Sequence, residues 1–490
     1  MIFTSFIYPF FLAFVAVVYY ICPARSGWIW LLIASVAYYI SFIPVFSLLL
    51  VIIVLANYFM SKWLAVLPES RSGRLLVFII ILNILILAFF KYFNNLFPGN
   101  QIHLFNTDLF FRVDPINKMI LPLGLSYLIF TVLSYQLEIK RKNILPENHL
   151  GYFSLYLLFF PKIAQGPIER PQSLIPQFRQ REPFNYEMAG DGLKQILWGY
   201  FKKLVVADRL AIYVNAVYNN TEHHNGTTLV VATVFFAFQI YADFSGYTDI
   251  ALGSAKLFGI KLTDNFRQPY FATSIKDFWD RWHITFSLWL RDYLFTPLAY
   301  FLAHKMNKAK YLFISADKLI YAIAIIITFA VCGIWHGVGW TYLIWGLIFG
   351  ICLTYSNWTR DFHKKVRKVF NVKKTSGFYI FYKVTITFIL VTFAWVFFRA
   401  DSLSVAIDVI GKIFTSYGHV FYEKPTDLIF ALFGILSLIA IDLKREYFNE
   451  RFSVLFNRHL VVRLAGIVII VMIILLAGVF DGGQFIYFQF

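Results

Sequence analysis

The sequence predicts an all-α polytopic membrane protein: a bundle of about eleven transmembrane helices with additional re-entrant or interfacial helices. Hydrophobic residues make up 59% of the 490 residues and charged residues only 14%, whereas a soluble domain has about a quarter charged residues. The mean hydropathy is +0.65. Apolar stretches long enough to cross a hydrocarbon core of ~30 Å recur along the whole chain.

Eleven stretches predict membrane-spanning helices: 2–22, 27–43, 45–64, 75–93, 119–137, 228–258, 317–335, 338–356, 376–398, 426–442 and 463–480. Two more, 152–164 and 192–215, are weaker. Pro161 interrupts the first, because proline removes a helix donor, and Lys202, Lys203 and Asp208 charge the second. No linker or soluble appendage divides the chain, so we expect a single integral-membrane domain over residues 1–490.

The net charge of +17 concentrates in short loops, chiefly 360–374 and 444–463. The positive-inside rule places these loops in the cytoplasm, which puts the N-terminus outside and makes 94–117 an external loop. Contact with anionic lipid headgroups accounts for this basic excess, so no nucleic-acid partner is predicted. Cys22, Cys332 and Cys352 have no disulfide or zinc spacing, and no metal is predicted.

Two histidines lie in apolar, tryptophan-rich surroundings, His336 within 332–340 (CGIWHGVGW) and His283 within 279–283 (WDRWH). An imidazole at membrane depth must find a polar partner or stay neutral. Two such residues favour proton-transfer chemistry, although His283 taken alone also fits a buried structural role. The periodicity predicts one helix over 274–295 with an aromatic stripe, so His283 would point toward apolar neighbours.

Two carboxylates, Asp243 and Asp249, interrupt an otherwise apolar stretch. Insertion scales assign about 2.5–3.5 kcal/mol to an aspartate at a helix centre, so both side chains should face the protein interior. They are either buried struts paired with arginine or tryptophan donors, or direct contacts to a substrate. Asp243, Asp249, Asn265 and Arg281 are all candidates for orienting the two histidines.

Several motifs resemble those of a known family. Residues 277–293 (DFWDRWHITFSLWLRDY) resemble the signature of membrane-bound O-acyltransferases, and 335–337 (WHG), with Trp340, Trp345 and Gly346, resembles the segment that carries this family's histidine. Three more segments are similar to the bacterial alginate O-acetyltransferase branch: 165–170 (QGPIER), 395–400 (WVFFRA) and 485–490 (FIYFQF). The resemblance is strongest between 155 and 400.

The resemblance implies a funnel-shaped helix bundle in which His336 is catalytic and His283 supports it, with Trp335 and Trp282 as substrate or support candidates. It further implies transfer of acetyl groups from cytoplasmic acetyl-CoA, with no bound cofactor. The acceptor would be an extracellular or periplasmic polysaccharide, alginate-like or other, reached through an extracytoplasmic acetyltransferase or relay partner. We expect a multi-pass protein of the bacterial cytoplasmic membrane.

Three alternatives remain open. Within the same chemistry, the chain could transfer D-alanine to teichoic acid or acetylate peptidoglycan. From another class, it could be a proton-coupled transporter or flippase whose histidines relay protons.

Overall fold

The computed structural model describes residues 2–42, 44–96, 122–311, 313–448, 455, 457 and 459–480. The chain forms two compact units, one from Met1–Ile196 with Tyr247–Thr263 and one from Leu197–Gly246 with Asp264–Phe490. The single-domain expectation therefore stays a prediction. Most of the predicted external loop 94–117 and the motif 485–490 lie outside the described residues; residues 94–96 end a helix.

Within the residues that the structure describes, the first unit contains eight complete α-helices and parts of two others. They are α1 (Ile7–Ile21), α2 (Gly27–Phe42), α3 (Ser47–Val66), α4 (Glu69–Leu96), α5 (Leu125–Lys140), α6 (Leu150–Leu158), α7 (Phe160–Ile163), α8 (Pro171–Arg179) and most of α9 (Tyr186–Tyr200). The last turns of α11 (Gly226–Lys256), whose earlier part belongs to the second unit, complete it.

The second unit holds the remaining helices: α10 (Asp208–Tyr218), α12 (Ile275–Trp279), α13 (Ile284–Leu290), α14 (Thr296–Lys305), α15 (Ala316–His336), α16 (Trp340–Trp358), α17 (Arg360–Val369), α18 (Gly377–Arg399), α19 (Leu403–Thr415), α20 (Pro425–Tyr447) and α21 (Leu460–Ala477). Two π-helical segments, Phe201–Ala207 and Arg291–Phe295, precede α10 and α14. A short antiparallel hairpin of β1 (Lys310–Tyr311) and β2 (Ile314–Ser315) leads into α15.

The predicted all-α membrane architecture is confirmed. Each of the eleven predicted windows coincides with one helix, and both weaker windows are broken, the first between α6 and α7 and the second by the π-helical turn before α10. Within the described residues, seven helices are long and apolar enough to cross a membrane: α3, α4, α11, α15, α18, α20 and α21. A total of eleven crossings stays a prediction.

Helices α15 and α16 form a close antiparallel pair within the part of the chain, 155–400, where the family resemblance is strongest. A side chain at Gly333 would overlap the backbone carbonyl of Tyr342, and one at Gly346 would overlap the carbonyl of Phe329. Small residues of this kind let membrane helices approach closely. The pairing fixes the end of α15, where His336 lies.

Candidate functional site

The backbone is broken at His283, and the predicted continuous helix over 274–295 is wrong. α12 ends at Trp279, His283 adopts a left-handed conformation with φ +43°, and α13 begins at Ile284. Another segment stabilises the break: the backbone of Phe266 forms an antiparallel bridge with Trp282, and the Ile284 amide donates to the Asn265 carbonyl. These hydrogen bonds to the 265–267 loop take the place of hydrogen bonds within a continuous helix. His283 therefore lies at the junction between α12 and α13 and not on the face of one helix.

The amide of Asn265 fixes the tautomer of His283. One Asn265 side-chain atom accepts hydrogen bonds from the Thr285 backbone N–H at 3.1 Å and from the Thr285 hydroxyl at 2.9 Å. A backbone N–H can only donate, so this atom is the amide oxygen Oδ1. The same oxygen lies 3.3 Å from Nδ1 of His283. Nδ1 therefore carries the proton, and the basic lone pair is on Nε2.

His283 is neutral in this environment. The imidazole is only 1% exposed, and the ring of Phe244 packs edge-on against it at 4.7 Å. Burial lowers the pKa of His283 to about 3, because an apolar setting disfavours the charged form. At neutral pH this residue can orient a group or accept a proton transiently, but it does not store positive charge.

His336 lies at the last position of α15 and is enclosed by aromatic rings. The ring centroids of Trp335, Trp345 and Phe398 lie 4.5, 4.9 and 5.3 Å from that of the imidazole. Phe398 comes from the predicted motif 395–400, so separate motifs of the sequence meet at this residue. The carbonyl end of a helix stabilises positive charge in its vicinity.

The structure brings the two histidines to a common neighbour, an aromatic residue that the helical spacing also places on the same face as His283. Phe286, the third residue of α13, lies 4.9 Å from the ring of His283 and 6.2 Å from that of His336. It also packs on Trp335 at 4.5 Å. The signal in the sequence was its place three residues after His283, but its role depends on the broken backbone.

Asp243 is buried and ion-paired with a lysine rather than an arginine or tryptophan, and the choice between a strut and a substrate contact stays a prediction. Lys203 lies 2.8 Å from Asp243 and 2.8 Å from Asp208, and all three side chains are at most 8% exposed. Lys202 in the same π-helical turn donates to Ser245 at 2.9 Å. Lys203 and Asp208, two of the charged residues in the 192–215 window, thus form a buried ionic cluster with Asp243. This agrees with the rule that buried charges are paired.

The remaining candidates have other partners. Asp249 belongs to the other unit and accepts a hydrogen bond from Gln195 at 2.8 Å. Arg281 forms ion pairs with Asp277 and Glu446 at 2.7 Å each, so these two carboxylates hold its guanidinium. Trp282 is buried and stacks on the ring of Phe278 at 5.5 Å. Asn265 has a polar contact to His283.

The proline-interrupted segment 159–170 is buried within the first unit. The carboxylate of Glu169 accepts hydrogen bonds from the backbone and hydroxyl of Thr263. Lys162 lies over the ring of Tyr156, with 5.2 Å from Nζ to the centroid. Burial raises the pKa of Glu169, because it disfavours the charged carboxylate. This interrupted backbone is lined by protein, which is the condition for irregular structure at membrane depth.

A cavity of about 230 Å³ opens beside the broken helix in the second unit. Trp279, Ile284, Leu288, Thr328 and Phe329 line it, and neither histidine is among its lining residues. Over the described ranges, no group of three or more His, Cys, Asp or Glu side chains could hold a metal ion. The side chains around the two histidines supply imidazole, amide, indole and hydroxyl groups.

Comparison with known proteins places both histidines within the region that a family model matches. Residues 39–397 match the model of MBOAT, the membrane-bound O-acyltransferase family. The chain is 31% identical over 414 residues to the peptidoglycan O-acetyltransferase of Helicobacter pylori, covering 78% of this chain and 72% of that protein.

Two further relatives have different names. The chain is 30% identical over 409 residues to the probable alginate O-acetylase AlgI of Pseudomonas aeruginosa, covering 83% of this chain and 73% of the relative. It is also 30% identical over 260 residues to the teichoic acid D-alanyltransferase of Bacillus subtilis, covering 52% of this chain and 63% of that protein.

Proposed function

The chain belongs to the membrane-bound O-acyltransferase family and is a multi-pass membrane acyltransferase, and on that premise we propose that it O-acetylates a polysaccharide outside the membrane. The proposed donor is cytoplasmic acetyl-CoA, and the proposed location is the bacterial cytoplasmic membrane with the N-terminus outside. The observation that carries the proposal is the pair of buried histidines that share Phe286 within the segment that the family model matches.

In the proposed reaction, His336 acts as the general base. It takes the proton from an acceptor hydroxyl as the oxygen attacks the thioester carbonyl of the donor. The new C–O bond forms, the C–S bond breaks, and the thiolate leaving group takes the proton back from the imidazolium. The C-terminal end of α15 stabilises the transient positive charge, and the surrounding rings exclude water that would hydrolyse the thioester.

His283 has the proposed supporting role. Its Nδ1–H is engaged by Asn265, so Nε2 is held as an acceptor with a fixed direction. Such an acceptor can orient a hydroxyl or a thioester group in the site. Trp335 contacts both His336 and Phe286, and its proposed role is to line the space that the substrate occupies. The proposed role of Trp282 is to stabilise the broken segment around His283.

The names of the relatives favour a cell-surface polymer as the final acceptor. Alginate is the acceptor named for the AlgI relatives, peptidoglycan for the relative from Helicobacter pylori, and teichoic acid for a D-alanine-transferring relative. The first two transfer acetyl groups by name and cover more of this chain, so acetyl transfer is the favoured reaction. An extracytoplasmic partner that hands the acetyl group to the polymer is part of the proposal.

The test is transfer of radiolabel from [¹⁴C]acetyl-CoA by the full-length protein in sealed vesicles. Polymer or partner acceptors are supplied in the lumen, and alginate, peptidoglycan fragments and teichoic acid are compared. Labelled polymer with the wild type, and none with His336→Gln, supports the proposal. His304→Gln is the matched control, because that histidine is exposed on α14. Proton flux without any acyl transfer would favour the transporter alternative.

A further inference from the structure

Helix α17 exposes an apolar face that no described part of the protein covers. Phe362, Val366, Val369 and Phe370 follow one another at i, i+4, i+7 and i+8, which places them on one side of the helix and its C-terminal end. Phe362 is 64% exposed, Val369 79% and Phe370 73%. A surface helix of a globular protein normally buries such a face against the core, so this one requires another apolar environment.

The rest of α17 is strongly basic. Five basic side chains stand against a single acidic one, Asp361: Arg360, Lys364, Lys365, Arg367 and Lys368. Lys373 and Lys374 extend the positive charge into the turn that follows. An exposed apolar face combined with a basic polar face is the pattern of a helix lying in a membrane interface.

The position of α17 in the chain agrees with that pattern. Only residues 370–376 separate it from α18, a helix long and apolar enough to cross a membrane. Seven residues reach at most ~25 Å when fully extended, so α17 must stay close to the point where α18 enters the bilayer.

We propose that α17 lies in the membrane interface, with Phe362, Val369 and Phe370 among the acyl chains, and that its basic side chains bind the phosphate groups of anionic phospholipids. An acidic protein would satisfy the lysines but leave the three apolar side chains in water. A lipid surface satisfies both faces, because it offers negative charge beside an apolar interior. The proposal does not depend on which acyl group the protein transfers.

The test uses full-length protein with Cys22, Cys332 and Cys352 replaced by serine, carrying either Phe362→Cys or Lys364→Cys labelled with an environment-sensitive fluorophore. The protein is reconstituted into vesicles of phosphatidylcholine, with or without phosphatidylglycerol. We expect a label at 362 to emit at shorter wavelength and to be quenched by spin-labelled acyl chains. A label at 364 should be quenched by aqueous iodide. Phosphatidylglycerol should move the label at 362 deeper into the bilayer and so increase its quenching by spin-labelled acyl chains. High salt should reverse this increase in quenching.

Two matched triple variants isolate the headgroup contacts in the Phe362→Cys protein. Replacing Lys364, Lys365 and Lys368 by glutamine should markedly weaken the response to phosphatidylglycerol, whereas replacing the exposed Lys305, Lys308 and Lys310 by glutamine should preserve it. Equal emission and quenching at 362 and 364 would overturn the interfacial placement. The same behaviour in both lipid compositions would overturn the anionic headgroup site. A third outcome would assign this surface to an acidic protein instead of lipid. In that case the label at 362 is exposed to water, and iodide is excluded from the label at 364 only after the acidic protein is added.

Discussion

His283 and His336 contact the same phenyl ring, that of Phe286, at centroid distances of 4.9 and 6.2 Å. Their other surroundings differ. Asn265 contacts one nitrogen of His283. His336 instead ends a helix that is long and apolar enough to cross a membrane, and aromatic side chains surround it. A histidine with a fixed tautomer suits positioning, and one at the carbonyl end of a helix suits proton uptake. The two residues should therefore respond differently to substitution.

Replacing His336 by alanine should lower acyl transfer by about 10²–10⁴, the usual contribution of a positioned general base. His283→Ala should lower it less, because the base itself remains. Both variants should insert into the membrane at wild-type levels. The measurement is the initial rate of transfer at equal protein concentration in vesicles. A His283→Ala variant less active than His336→Ala would exchange the two roles.

Asn265 should act through His283, and its aspartate and alanine variants separate orientation from charge. Asn265→Ala removes the acceptor for Nδ1 and leaves the Thr285 amide without its partner, so activity should fall severalfold or more. Asn265→Asp keeps an acceptor in place but adds a negative charge, which favours the imidazolium and raises the pKa of His283. His283 then stays protonated to higher pH, so the pH profile of its imidazole ¹⁵N chemical shift should have a higher midpoint than in the wild type.

The control for this pair is the pH profile itself. A purely structural role for Asn265 would leave the midpoint of that profile where it is in the wild type. An unchanged midpoint in Asn265→Asp would therefore contradict a link between this amide and the protonation of His283.

Much of the helix bundle could be predicted, because a stretch of apolar residues long enough to cross a bilayer is a local property of the sequence. The eleven windows coincide with helices for this reason. The segment around His283 could not be predicted from periodicity. Its aromatic residues recur at helical spacing, but hydrogen bonds to the distant 265–267 loop override that local preference.

Some of the site residues could likewise be predicted from the sequence, and others could not. The two histidines stand out by their apolar surroundings, and Asn265 was one of four candidates. The sequence does not distinguish these four candidates. Asp243 and Arg281 pair with Lys203 and Glu446, and both partners lie far away along the chain. Pairing across more than 150 residues, as between Arg281 and Glu446, leaves no local trace in a sequence.

Gly346→Ala should destabilise the protein, since the new methyl group would overlap the carbonyl oxygen of Phe329 and force α15 and α16 apart. Overpacking of this kind costs about 1–3 kcal/mol. Activity should fall as well, because the adjacent Trp345 packs on His336. The measurements are thermal unfolding in detergent and acyl transfer.

Gly411→Ala is the matched control for this substitution. Gly411 also lies inside a helix, α19, but a methyl group added there would meet no neighbouring atom within 4 Å. Alanine is a better helix former than glycine by about 1 kcal/mol, so this variant should be as stable as the wild type or more stable. Equal destabilisation by both alanines would show that the close approach of α15 and α16 is not the cause.

The buried cluster of Lys203, Asp208 and Asp243 should be among the most sensitive ionic contacts of the second unit. Lys203→Met leaves two carboxylates close together without their cation, at side-chain exposures of 8% and 3%. Breaking a buried ion pair by removing one partner costs about 3–5 kcal/mol. We therefore expect poor expression or a large fall in the unfolding temperature, with any remaining folded protein retaining measurable acyl transfer.

A combined variant and a surface control separate the cost of unpaired charge from the cost of lost packing. Adding Asp208→Asn and Asp243→Asn to Lys203→Met removes the stranded negative charges, so stability should recover in large part even though no ion pair is restored. Lys140→Met breaks the ion pair with Glu69, whose side chain is 75% exposed, and should cost about 0–1 kcal/mol because water screens such pairs. If the triple variant were no more stable than Lys203→Met, the cost would come from lost packing of the lysine stem, and charge pairing would not be what holds Asp243 inside the bundle.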